Sequence, residues 1–351
     1  MTTKRQRSDG DDHRRRLHLL VKDWNKGFTL YKLDIDDIGS DSDSDGDMDS
    51  KTLHLPRRPV VRLAGNSNQQ FIAAGGKSYG FYISSGHQTE AGPNPVFDTD
   101  TLGVTAIPRF QAPKMPGAFW AVGDTVYALD CGWEAQRRSC FEMLPREPQP
   151  GHGEWSWQAL PAPPFPPHDV MSRALHPNGS TMFLSIYNGG TFSFDAKRRV
   201  WARHGRWMLP FSDEAYYVAA LNAWVGLCSN GHIVACPVLS PRPNRDVYWR
   251  DREEPTFKTG KDMLFFDQQE RHLLASLTYL GDAEFCLQET VTQKGYDFAM
   301  SSGIKVPMLL RLVRFRVEYS RDGELCVVDK RVRIYELHRD TGEHTPVAFL
   351  M

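Results

Sequence analysis

The sequence predicts an all-β fold, a β-propeller of six blades with four antiparallel strands apiece. Three observations predict it. Residues 170–211 read as four short strands in series, separated by Pro177-Asn178-Gly179, Asn188-Gly189-Gly190 and a five-residue turn at 195–199. Weaker copies of that plan lie on both sides. Unit-closing prolines at Pro56, Pro108, Pro161 and Pro210 stand 52, 53 and 49 residues apart. One four-stranded sheet of this size is not stable alone, so one such unit implies others.

In chain order, residues 1–16 are polar and charged and read as a disordered tail, with no apolar stretch suited to a secretory signal. Lys4, Arg5, Arg7 and Arg14 to Arg16 make a candidate nuclear-localisation patch. Asp9, Asp11 and Asp12 interrupt it, so a solvated tail is the favoured reading. The propeller is expected over 17–340. Leu17–Val21 and Phe28–Ile35 form the first strand pair, and an acidic, disordered insertion follows at about 36–51. Asp41, Asp43, Asp45 and Gly46 match the opening of a calcium loop, but Thr52 stands at the twelfth position where a bidentate Glu belongs. Ser40 and Ser42 each precede an Asp by three residues, a weak acidophilic-kinase signal.

The second unit takes strands at 71–76, 79–84, 96–99 and 104–107, with Gly75-Gly76 ending the first. The third takes 118–123, 126–130 and 155–161, with 142–154 as a Pro/Gly loop. In the central unit Met182, Leu184 and Ile186 alternate with Phe183, Ser185 and Tyr187, the period of a strand packed on both faces. Trp201 and Trp207 add large apolar area. The fifth unit reads as one strand over 215–225 and another over 233–238, joined by Ser229-Asn230-Gly231. A charged, Pro-rich loop at 240–256 and a strand near Phe257 follow. The last unit, about 271–338, offers 272–275, 284–287, 309–318 and 326–337, with a hairpin turn at 320–323. Residues 341–351 are a tail or closing strand.

The chain of 351 residues, 40% apolar and 11% aromatic, is long enough to bury a sizeable core. A net charge of −1 supplies no global basic field, which argues against nucleic acid as a partner. No apolar run of about 18 residues suggests a membrane helix. Cys131, Cys140, Cys228, Cys236, Cys286 and Cys326 lie far apart and read as reduced, buried thiols of a cytosolic or nuclear protein. They lack zinc-ligand spacing.

No nucleophile elbow, phosphate loop or metalloprotease motif occurs. His168, His176, His204 and His232 read as surface or rim residues. Arg198, Arg199, Arg203 and Arg206 cluster about two tryptophans; such a pattern binds phosphates or single strands, but the favoured reading is an outer-strand face packed by its own stems. No catalytic, cofactor-binding or metal-ligating residue is assigned, and no cofactor is expected. Loops at 85–95, 132–154, 240–256 and 288–306 are the candidate partner-binding surface, since loops vary on a rigid scaffold.

The segments AVGDTVYALD, WQALPAPPF, ALHPNGSTMFLSIYNGGTFSFD, GRWMLPF and LNAWVGLCSNGHIVAC resemble an uncharacterised plant family, domain-of-unknown-function family 1668, over roughly residues 15–340. That family is similar to kelch and F-box-associated propellers, and the double glycine and the period near 50 resemble the kelch repeat. The resemblance implies the fold and supplies no activity. The residues before the first blade are too few and too polar for an F-box. The expected function is a monomeric, non-enzymatic protein-interaction module in the cytosol or nucleus. The alternatives are a propeller enzyme with a channel active site and a nuclear regulatory factor.

Overall fold

A computed structural model describes residues 15–23, 27–39, 52–64, 69–74, 77–82, 94–99, 101–112, 114, 117–131, 140–146, 155–165, 170–243, 248–296, 306–337 and 347–350. The chain is all-β. In order come β1 (Arg16–Asp23), β2 (Gly27–Asp34), β3 (Leu53–His54) and β4 (Val61–Leu63). Next are β5 (Gln69–Ala74), β6 (Lys77–Tyr82), β7 (Asn94–Asp98) and β8 (Val104–Ile107). They precede β9 (Gly117–Val122), β10 (Thr125–Asp130), β11 (Phe141–Leu144) and β12 (Gln158–Ala159). The central strands are β13 (Val170–Leu175), β14 (Thr181–Ile186), β15 (Gly190–Asp195) and β16 (Val200–Gly205). After them come β17 (Asp213–Val218), β18 (Ala223–Leu227), β19 (His232–Pro237) and β20 (Lys258–Met263). The last are β21 (His272–Gly281), β22 (Glu284–Thr292), β23 (Met308–Tyr319), β24 (Leu325–Glu336) and β25 (Val347–Leu350).

Among the described residues these strands form five hydrogen-bonded sheets. Three have four strands, ordered β25-β1-β2-β4, β5-β6-β7-β8 and β12-β11-β10-β9. The eight-stranded sheet is two antiparallel four-strand meanders, β13–β16 and β17–β20, joined where β13 and β17 run parallel. The five-stranded sheet is β21–β24 with β3 parallel to β24. The apolar cores lie between consecutive four-strand units: Phe141 and Tyr127 meet Phe194, Phe183 meets Trp224, and Phe285 and Val313 meet Val225 and Ile233. A further core joins the last unit to the first through Leu310 and Leu312 against Leu17 and Leu19.

The central unit shows why the local sequence folds this way. Asn178 Oδ1 accepts from the Ser180 and Thr181 amides, both at 3.0 Å, and Asp195 Oδ1 accepts from the Lys197 and Arg198 amides, also at 3.0 Å. Such Asx turns reverse the chain without a neighbouring strand. Between these turns Asn188 and Gly190 take φ of 55° and 93°. A Cβ on Gly190 would run into the Gly205 carbonyl, so only glycine fits. Strand β14 is buried along its whole length, on both faces.

Four expectations need correction. Phe141–Leu144, assigned in part to a loop, is the buried strand β11. The single strand expected over 215–225 is two, because a 3-10 turn at Ala219–Leu221 and a left-handed Asn222 fold it into a hairpin. Pro56, read as closing the first unit, instead follows the short strand Leu53–His54, which pairs with the last sheet, and Val61–Leu63 beyond it is the strand that pairs with β2. Residues 288–292 of the loop read at 288–306 belong to β22. Of the acidic insertion, residues 36–39 form a turn with Ile38 buried. Residues 40–51, which hold Ser40, Ser42 and the calcium-like loop except Thr52, lie outside the described residues, as do 1–14, 75–76, 85–93 and His168.

Candidate functional site

The histidines singled out in the sequence are engaged structurally. His204 is buried, with Nε2 2.8 Å from Ser193 Oγ, and burial followed by the Arg252 charge lowers its pKa to about 4. His176 Nδ1 accepts the Asn178 amide at 3.0 Å; burial lowers its pKa, and the Asn178 side chain partly offsets the shift. His232 Nδ1 is 3.0 Å from the Gly260 carbonyl oxygen.

The four arginines divide. Arg198 and Arg199 are exposed in the turn before β16, Arg199 with φ of 55°. Arg203, on β16, and Arg206, just beyond it, meet a partner that sequence spacing conceals. The described part of the 240–256 loop carries Tyr248-Trp249-Arg250 onto β16. Arg252 fastens it there, donating from Nη1 to the Arg203 carbonyl at 2.7 Å and the His204 carbonyl at 3.4 Å. Arg203 Cζ lies 3.4 Å from the centroid of the Trp249 ring, with Arg250 at 5.0 Å and Arg206 at 5.5 Å. Arg203 Cζ also lies over Phe192, 5.1 Å from its ring centroid. Tyr248, 5.7 Å from Arg250, is 56% exposed. The adjacent aromatics in a charged loop were a signal available in the sequence.

Among the described residues this cluster meets no counter-charge. Among the described residues Arg203, Arg206 and Arg250 make no ion pair, although Glu253 and Glu254 follow in the same loop. Burial, then the like charges of Arg206 and Arg250, lower the Arg203 pKa, and Tyr248 offsets this in part. Arg203 Nη2 donates to the Gly189 carbonyl at 2.9 Å, and its buried Nε has no acceptor among the described residues. Crowded like charges cost free energy, and an anion among them lowers that cost.

A second feature is a cleft of about 200 Å³ between β17 and β21, lined by Cys228, Phe265, His272 and Ser276 among others. Its imidazole is held tightly. His272 Nδ1 lies 2.9 Å from Glu289 Oε1, and the ring stacks on Phe265 at 4.1 Å. Glu289 also accepts the Phe266 amide at 2.9 Å and Arg311 Nη1 at 2.8 Å. This buried carboxylate is thereby satisfied, which makes the group a strut between β21, β22 and β23. Among the described residues no group of three or more His, Cys, Asp or Glu side chains is placed to hold a metal ion. None of their helices is long and apolar enough to cross a membrane.

No curated protein matches the chain. Among solved structures it is similar to a protein of unknown function from Bacteroides thetaiotaomicron VPI-5482, at 12% identity and a TM-score of 0.44, covering 90% of this chain and 64% of that one. It is also similar to TolB from Acinetobacter baumannii, at 11% identity and TM-score 0.44, covering 92% and 66%. Apo AztD from Citrobacter koseri aligns at 10% identity and TM-score 0.38, covering 92% and 98%. The chain thus spans less than two thirds of the length of the first two, and no property of these proteins is carried over. A family model does match, over residues 14–335, and the chain belongs to the family described as "Protein of unknown function (DUF1668)".

Proposed function

We propose that the chain is a six-bladed, kelch-like β-propeller acting as a non-enzymatic protein-interaction module, with the Arg203–Arg206–Arg250 surface as its docking site for an acidic partner. The propeller reading draws support from six four-strand units, the first completed by β25, with apolar cores between neighbours and between last and first. The six free cysteines suit a reducing cytosol or nucleus. One observation carries the interaction reading: three guanidiniums share one indole with no carboxylate opposite them among the described residues. An enzyme site usually gathers titratable groups in a cleft, whereas this group lies at β16, an edge strand of its sheet.

The test is fluorescence polarisation with a labelled Glu-rich peptide against a Lys-rich one. Binding of the acidic peptide alone, weakened by salt and by Arg206→Gln with Arg250→Gln, is the expected result. Equal binding of both peptides would sink the reading.

A further inference from the structure

The cluster asks for more than a carboxylate. A carboxylate brings one charge and two oxygens, enough for one bidentate guanidinium. Here three guanidiniums lie within 5.5 Å of the centroid of one indole ring. A phosphate monoester brings three acceptor oxygens and a charge of about −1.5 to −2. It can bridge guanidiniums that a carboxylate would serve one at a time.

We propose that the Arg203–Arg206–Arg250 cluster on Trp249 is a recognition site for a phosphorylated segment of a protein partner. This rests on the interaction reading above and narrows it from acidic to phosphorylated. Arg206 and Arg250 are exposed, so the anion reaches them without opening the fold. Arg203 is fixed from below by Phe192 and by its bond to Gly189, which limits the side-chain entropy lost on binding. Tyr248 offers a flat, exposed face beside the charge for the residue flanking the phosphate. A single nucleic-acid strand fits less well. Such strands are held by a basic groove with successive aromatic platforms, whereas this patch has one exposed tyrosine beside one occupied indole and the chain's net charge is −1.

The experiment uses the full chain and four fluorescein-labelled probes: three degenerate peptide libraries differing only in a fixed central phosphoserine, Glu or Ser, and oligo(dT) of ten nucleotides. The phosphoserine library should bind at least about 10-fold more tightly than the Glu library, as charge-assisted contacts to several oxygens imply. Arg206→Gln and Arg250→Gln should each remove that preference, with circular dichroism and melting unchanged. Arg321→Gln, in the exposed turn between β23 and β24, should retain it. Equal affinity for phosphoserine and Glu would overturn the phosphate inference and leave the acidic-partner reading standing. No binding by either library would overturn both. Tightest binding by oligo(dT) would replace both with a nucleic-acid surface.

Discussion

His18 and His204 are the residues at which acidity should touch this fold. His18 is 6% exposed and stacked on Phe349, and burial, then the Lys32 charge, lowers its pKa to about 4, the value His204 also takes. Both therefore fold as neutral rings. Above pH 6.5 neither state binds a proton at these sites and they give no pH dependence. Between pH 6.5 and about 4 the unfolded chain takes up protons that the folded chain refuses, so stability falls as pH falls. His18→Phe keeps the stack and removes the titration. In urea melts at pH 7 and pH 5, the variant's loss between the two should be smaller than the wild type's by about 2 kcal/mol. Equal losses would show that His18 is not held neutral. The burial of His204 was not legible in the sequence, because its partner Ser193 lies across a hairpin, eleven residues away. The arginine cluster was half legible: Arg203 and Arg206 stood out, but Trp249 reaches them only through the fold.

At the scale of elements, the repeated prolines have a physical role. Trp157 Nε1 donates at 3.0 Å to the Pro108 carbonyl, which ends the preceding unit, and Trp201 Nε1 donates at 3.0 Å to the Pro161 carbonyl in the same relation. The spacing near 50 residues that made the units visible is thus also a stitch between neighbours. Trp120 is equally buried, yet its Nε1 has no acceptor among the described residues. Replacing each tryptophan by phenylalanine separates the two roles. Trp157→Phe should cost more than Trp120→Phe, by about 1–2 kcal/mol in denaturant melts, since only the first orphans a carbonyl. Comparable costs would reduce the stitch to packing. Elements with turn chemistry, such as β13 to β16, could be read directly. Strand β11 was missed because Pro145 and the glycines beyond it dominate the local composition, and the β17–β18 hairpin because Asn222 turns without glycine.

For the whole molecule, the last described strand is joined to the first. Strand β25 pairs with β1, from Leu17 opposite Leu350 to Leu20 opposite Val347. Nearby, Arg314 donates to the Ile35 carbonyl at 3.1 Å and pairs with Glu284 at 2.7 Å, which also holds Arg15 at 2.7 Å. Deleting the chain from Val347 onward removes buried Phe349, bares the β1 edge and should cost roughly 3–5 kcal/mol. A thermal melt would register this as a lower midpoint with a broader transition. An unchanged melt would mean the first unit is complete without β25.

Strand β25 also imposes an order on biosynthesis. The first sheet is begun by the earliest described strands but lacks its fourth member until the last of them has left the ribosome. Domains commonly fold from the amino terminus as they are made. Here β1 must wait through the synthesis of every other sheet with one edge bare, and that waiting interval is when a nascent chain of this kind most needs a chaperone.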